Sequence, residues 1–350
     1  MASQMLAMVF HGPNDLRLEP MPKPRVDSGS ALVKVEAAAV CASDIRIYRG
    51  EKTAKPGTIL GHELAGVVVE TGPDVSAVQV GDRVTMYPVI ACGRCFYCQH
   101  GYRNMCLNRR TVGYEYNGGF AEYMLVTREA LELGNLVEVP SGVSAEEAAL
   151  AEPLACCING LQVLSLEPGE TLVVVGAGPM GLMLTRLARI SGVGQVIVSE
   201  PNEQRLALAG EMGADVKVNP AREDLASRAR EATGGLGADA AIVTVGVPGV
   251  AWETLRAVRR MGRVNLFAGF PRGQEAKVDL NLVHYGMVTV TASQSATLTQ
   301  FHRALTLMAT GKIDLKPLIT HRFPLSQGPQ AFEKKIALEG LKPEILPGLG

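Results

Sequence analysis

The chain has 350 residues, 47% hydrophobic and 20% charged, enough for two domains with full-sized cores. Its 34 basic and 35 acidic residues leave a formal charge of −1, and aromatic side chains make up only 5%. Such a balance neither attracts a polyanion nor offers many rings for base stacking, which argues against nucleic acid or an anionic membrane as partner.

Residues 1–10 lack the basic start and apolar stretch of a signal peptide. The longest uncharged apolar run, 171–185, is too short and glycine-rich to span a bilayer, so a cytoplasmic location is expected. The first 150 residues read as short strands divided by turns, with β-rich runs at 31–39, 65–70 and 80–85. Glycines at 57, 61, 66, 72 and 81 imply the tight corners of a β-barrel-like domain.

Four of the seven cysteines follow within fifteen residues: Cys92, Cys95, Cys98 and Cys106. An odd total and such crowding fit a metal site better than a disulfide framework. Short spacings bring four thiolates to one tetrahedral ion at little entropic cost, and Gly93 and Gly101 permit the tight backbone. Zinc is the expected ion and an iron–sulfur cluster its rival. Four sulfurs leave no open position, so this zinc would be structural. A zinc ribbon for nucleic acid is the other reading of the lobe, and the near-neutral charge counts against it.

After residue 150 the pattern changes to α/β alternation. Strands are expected at 171–175, 195–199, 216–218, 240–245, 263–267 and 288–292. Helices are expected at 180–190, near 203–212 and 223–232, at 252–260, and, beyond the last strand, at 298–310. Six apolar strands with covering helices make a doubly wound parallel sheet of the Rossmann kind over 151–294, with 295–350 returning to the first domain.

Strand 171–175 runs into Gly176-Ala177-Gly178-Pro179-Met180-Gly181. Gly176 would make the sharp turn, Gly178 would admit a pyrophosphate to the backbone, and Gly181 would allow close helix–strand packing. The helix beginning at Pro179 and Met180 offers free N–H groups to the phosphates. Glu200, nineteen residues after Gly181, stands where a carboxylate takes the ribose hydroxyls and repels a 2′-phosphate, which favours NAD. Arg205, a nearby cation, is the feature that would suit NADP instead. Val245 and Gly246, at the end of the fourth strand, complete the expected cofactor-binding set.

Three further segments remain: Cys41-Ala42-Ser43-Asp44, Gly61-His62-Glu63 and Glu152-Pro153-Leu154. Taken with Gly81-Asp82-Arg83-Val84, the cysteine lobe, Gly118-Gly119-Phe120-Ala121-Glu122-Tyr123 and the glycine-rich turn, they resemble the zinc-dependent medium-chain dehydrogenases across nearly the whole chain. The resemblance implies a GroES-like β-barrel catalytic domain beside the Rossmann domain and an active site in the cleft between them. It implies a catalytic zinc held by Cys41 and His62, with Glu63 as a ligand or an immediate neighbour and Glu152 binding directly or through water. Glu152 in place of the cysteine of simple alcohol dehydrogenases is similar to sorbitol and other polyol dehydrogenases. Ser43 would pass the substrate proton outward. Arg46 departs from the family, which often has histidine there, and arginine cannot relay protons at neutral pH. It would instead meet a substrate anion or a cofactor phosphate, or have no role. Oxidation of a secondary alcohol in a polyol or sugar-derived substrate is the expected activity, and oxidation of a hydroxy amino acid such as threonine the alternative. Cys156 and Cys157 read as inert helix thiols. The apolar strand 288–292 offers an edge for pairing with a second copy, in a dimer or a homotetramer.

Overall fold

The computed structural model describes residues 3–349, and the chain divides into two units. One runs to Ala155 and resumes at Ala296; the other is Cys156–Ser295.

The first unit is built on a seven-stranded sheet. Strand β1 (Ala31–Ala39) is followed by the short helix α1 (Ala42–Tyr48), and strand β2 (Glu63–Thr71) returns antiparallel to β1. Beyond β2 lie β3 (Arg83–Met86) and the short strand Leu136–Glu138. On the other side of β1 the C-terminal strand Lys342–Leu346 pairs antiparallel, and Ile319–Pro324 pairs parallel with that strand. In β1 only Lys34 and Glu36 are exposed; the remaining side chains are buried apolar ones, so both faces of the strand are covered. Expected strand 80–85 begins only at Arg83. Gly81 has φ +101°, and the Asp82 carboxylate caps the Gln79 N–H at 2.7 Å, so these residues form the preceding turn.

The second unit holds a six-stranded, wholly parallel sheet. Its strands are β4 (Thr171–Val175), β5 (Gln195–Ser199), β6 (Val216–Val218), β7 (Ala238–Val243), β8 (Val258–Leu266) and β9 (Thr289–Ala292). They lie in the order β6-β5-β4-β7-β8-β9, with chain direction switching between β4 and β7, where open α/β sheets bind ligands. Helix α2 (Pro179–Ile190) links β4 to β5. Residues 240–245 were expected as strand, but β7 spans Ala238–Val243, which leaves Val245 and Gly246 in the loop beyond it. The expected helix 252–260 is replaced by Pro248–Thr254 followed by β8. Proline at the first helical position starts that helix early. The Ala238 N–H then takes the Ala257 carbonyl at 2.9 Å and Val258 pairs with Ala238, so the chain joins the sheet where helix was expected. Among the described residues, no helix is long and apolar enough to cross a membrane.

Candidate functional site

Register brings the first set of residues together. Ala39, at the end of β1, lies opposite Glu63, at the start of β2. Cys41 and His62 therefore leave the same edge of the sheet, although 21 residues separate them. Gly61 makes the approach with φ +94°, in a space that a Cβ would fill at 2.9 Å from the Phe120 ring. A sulfur of Cys41, a ring nitrogen of His62 and a carboxylate oxygen of Glu63 all fall within 4.8 Å of one another. His62 and Glu63 are buried and Cys41 is half-buried, at the N-cap of α1.

Asp44 closes the α1 cap by accepting the Cys41 N–H at 2.9 Å. Its other oxygen lies 3.3 Å from His62 Nδ1, close enough for an ion pair but out of hydrogen-bond alignment. A carboxylate on Nδ1 favours the tautomer that leaves Nε2 free as a donor to metal. Burial disfavours the charged imidazole, yet Tyr114, Asp44 and Cys41 outweigh it and hold the His62 pKa well above its ordinary value. This surplus of acidic groups around a soft donor set fits a divalent cation.

Glu63 is engaged on its other side. The Lys342 ammonium donates to both carboxylate oxygens, at 2.6 and 2.5 Å, and both residues are buried. Burial works against the charged lysine, but Glu63, Cys41 and Glu152 raise its pKa nonetheless. Glu152 is thus an electrostatic neighbour of this cluster, half-buried and outside the 4.8 Å donor set. Ser43 Oγ lies 3.4 Å from His62 Nε2 and accepts the Tyr114 hydroxyl at 2.9 Å. Arg46 points elsewhere, 3.6 Å from Glu51, and is not in this chain of bonds.

The second donor set is the cysteine lobe, where the four sulfurs lie within 4.8 Å of one another and none is joined in a disulfide. Gly93 and Gly101 turn the backbone with φ +70° and +85°. N–H groups of Cys92 and Asn108 point at the Cys106 sulfur, at 3.2 and 3.4 Å. Backbone N–H groups of Arg94 and Cys95 bring the Cys92 thiol down to about 6, while burial pushes Cys98 up to about 12. Backbone donors aimed at converging sulfurs suit four thiolates shared by one cation.

In the second unit the three glycines differ as their chemistry requires. Gly176 has φ +98°; a Cβ on Gly181 would stand 1.8 Å from the Gly176 carbonyl; around Gly178 there is nothing within 4 Å. The turn, the packing contact and the open approach are thus separate sites. Gly178 caps α2, with Pro179 at its first position and Met180 next. Glu200 is buried and accepts the Ala177 N–H at 2.7 Å and the Asn202 N–H at 3.0 Å, which ties its carboxylate to the glycine-rich turn. Val245 lies beside Gly176, and Gly246 packs against the Gly269 carbonyl. Arg205 is half-buried on the helix after Asn202, whose side chain accepts its N–H at 3.1 Å.

Sequence reasoning missed Lys342, Tyr114 and Lys52. Lys342 opens the short strand Lys342–Leu346 with no motif around it to mark it, and Glu63 is 279 residues away. Asp44 was legible only as part of a motif.

Comparison with known proteins agrees with this fold. Residues 27–140 match the alcohol dehydrogenase GroES-like domain and 179–310 the zinc-binding dehydrogenase domain. An L-threonine 3-dehydrogenase of Pyrococcus furiosus is 34% identical over 332 residues, 92% of each chain. A sorbitol dehydrogenase of Halalkalibacterium halodurans is 31% identical over 98% of each. Among solved structures, a Sinorhizobium meliloti 1021 protein bound to NADP is 31% identical, with TM-score 0.93, over 99% of this chain and 100% of that one. An alcohol dehydrogenase of E. coli CFT073 in complex with NADH is 28% identical, with TM-score 0.90, over the same shares. The chain belongs to the zinc-binding alcohol dehydrogenase family of oxidoreductases, with a GroES-like domain and a Rossmann domain.

Proposed function

We propose that this protein oxidises a secondary alcohol of a polyol or sugar-derived substrate, with zinc at Cys41 and His62 and NAD as hydride acceptor. The observation that carries this reading is a thiol, an imidazole and a carboxylate within 4.8 Å, with the Ser43 hydroxyl 3.4 Å from the imidazole. Cys41, His62 and a carboxylate of Glu63 or Glu152 would hold a catalytic zinc, whose chemistry is to polarise a bound hydroxyl. Cys92, Cys95, Cys98 and Cys106 would hold a structural one. Overall, a secondary alcohol and NAD+ become a ketone, NADH and a proton.

The chain's own part is orientation and proton handling. Asp44 holds the His62 ring, and Lys342 donates to both Glu63 oxygens and holds that carboxylate turned toward itself. Ser43 accepts from Tyr114, so its own proton is free to be exchanged with a substrate hydroxyl. The bond from Tyr114 runs into Ser43, so Tyr114 orients the serine hydroxyl rather than taking a proton from it, and Arg46 lies outside this chain of bonds.

A polyol is favoured by the oxygen ligand that Glu152 offers, harder than sulfur. A hydroxy amino acid is the second reading, supported by the higher identity of the threonine dehydrogenase relative. The test is a zinc-loaded preparation assayed on sorbitol, other polyols and L-threonine with NAD and with NADP. Two zincs per chain and polyol turnover are expected. L-Threonine turnover alone would select the second reading, and no alcohol oxidation at all would end both.

NAD is favoured because the buried Glu200 carboxylate stands at the turn that would receive the dinucleotide. Glu200→Gln keeps an oxygen that can accept from Ala177 and removes the charge. The NAD-to-NADP ratio of kcat/KM should fall at least about tenfold, the effect of losing one charge–phosphate repulsion of about 1.4 kcal/mol. An unchanged ratio would remove Glu200 from cofactor choice.

Pairing with a second copy is also part of the proposal. Strand β9 has one open edge, and Val290, Tyr285 and Met287 beside it are exposed apolar side chains. Two copies joined by a two-fold axis along that edge would extend the sheet across both. In sedimentation velocity, Val290→Lys with Tyr285→Lys should convert the oligomer to smaller species; an unaltered profile would place the interface elsewhere.

A further inference from the structure

We infer that the substrate carries an anionic group, a carboxylate or a phosphate, close to the hydroxyl that is oxidised, and that Lys52 binds it. The inference rests on the dehydrogenase reading above and narrows its substrate class.

Lys52 lies in the loop after α1, and that loop is fixed at several points. Its backbone N–H donates to the Arg46 carbonyl at 3.1 Å, and three residues on, the Lys55 N–H donates to the Tyr114 carbonyl, also at 3.1 Å. The side chain then folds back over Tyr114. Its ammonium lies 4.1 Å from the ring centroid and donates to the phenolic oxygen at 3.0 Å. Tyr114 is itself buried and gives its proton to Ser43.

The consequence is a cation held at a set place. Two hydrogen bonds in series put the ammonium within about 6 Å of Ser43 Oγ. Lys52 is half-buried, and among the described residues no carboxylate pairs with it. The neighbouring cation, Arg46, has Glu51 beside it. Only one of the three ammonium protons of Lys52 is spent on a phenol, a neutral acceptor that does not cancel its charge. Partly desolvating an ammonium without a counter-ion is unfavourable, and an anionic ligand removes that cost. A substrate whose hydroxyl meets Ser43 would bring a group roughly two to four bonds away within reach of the remaining N–H donors.

The experiment compares matched pairs on the zinc-loaded chain: 3-hydroxybutyrate against its methyl ester, and glycerol 3-phosphate against glycerol. For at least one pair, kcat/KM for the anion should exceed that for the neutral partner by about tenfold or more, the usual weight of a charge-assisted hydrogen bond. The pair that responds tells carboxylate from phosphate. In Lys52→Met that preference should fall to within about threefold, Lys52→Arg should restore most of it, and Arg46→Gln should leave it standing. Calorimetric titration with butyrate and with inorganic phosphate provides a readout independent of turnover, and the anion that binds should weaken about tenfold in Lys52→Met. Equal turnover of anionic and neutral partners, or a preference that survives in Lys52→Met, overturns the inference and leaves the dehydrogenase reading intact. Lys52-dependent anion binding without alcohol oxidation does the reverse.

Discussion

Replacing Cys41 with alanine is expected to lower the zinc content from two ions per chain to one and to reduce alcohol oxidation by about 10³-fold or more, the loss of roughly 4 kcal/mol of metal stabilisation. The remaining ion would be that of the cysteine lobe, whose sulfurs come from 92–106 and share no ligand with Cys41. Elemental analysis beside a turnover assay separates the two sites. Retention of two zincs, or activity within tenfold of wild type, would show that Cys41 does not hold the ion that matters. The same site gives a pH dependence with a definite sign. Its acidic neighbours hold His62 protonated to well above the ordinary imidazole range when no metal is bound. Zinc must displace that proton, so apparent affinity should fall as pH falls, by at least about tenfold per unit. A flat profile through neutral pH would mean that His62 is not a ligand.

What could be read from sequence follows the range of each interaction. The glycine-rich turn was legible because Gly176, Gly178 and Gly181 act within six residues, on constraints a Cβ would violate or would leave free. The cysteine lobe was legible for the same reason. Cys41 and His62 sit in short motifs, but their meeting depends on the β1–β2 register, which no spacing rule reveals. The helix expected at 252–260 failed because propensity saw Leu255 and Ala257 and could not see Ala238, which draws Ala257 and Val258 into the sheet. Lys52 and Tyr114 are 62 residues apart, and their pairing is visible only once the loop is folded. Arg46 drew attention as a departure from the family, whereas the cation tied to Ser43 through Tyr114 is Lys52.

The interaction farthest from any sequence signal should also be the most costly to break. Lys342→Met removes the ammonium bound to Glu63 and leaves a carboxylate in a space where both side chains are almost wholly buried. Stranding one member of such a pair costs about 3–5 kcal/mol, more than most point changes, because the survivor loses both water and partner. With about 2–4 °C lost per kcal/mol for a domain of this size, the calorimetric midpoint should fall by roughly 10 °C. The second change that tests the cause is Glu63→Gln. In the Lys342→Met background it neutralises the stranded charge, so the double variant should be more stable than Lys342→Met alone. That non-additivity separates an ion pair from lost packing, since lost methylenes would not be recovered by changing Glu63. The pH dependence has the opposite sense from that of a paired surface carboxylate. The folded-state pKa of Lys342 is raised above its unfolded value, so its contribution is complete below the unfolded pKa and disappears only as pH rises through the folded one. Between pH 6 and 9 the lysine itself therefore adds no pH dependence, and any slope in the loss for Lys342→Met comes from the stranded Glu63 taking up a proton as pH falls. A loss below about 1 kcal/mol, the weight of a surface pair, would mean that water or a rearranged chain already supports Glu63 without the lysine.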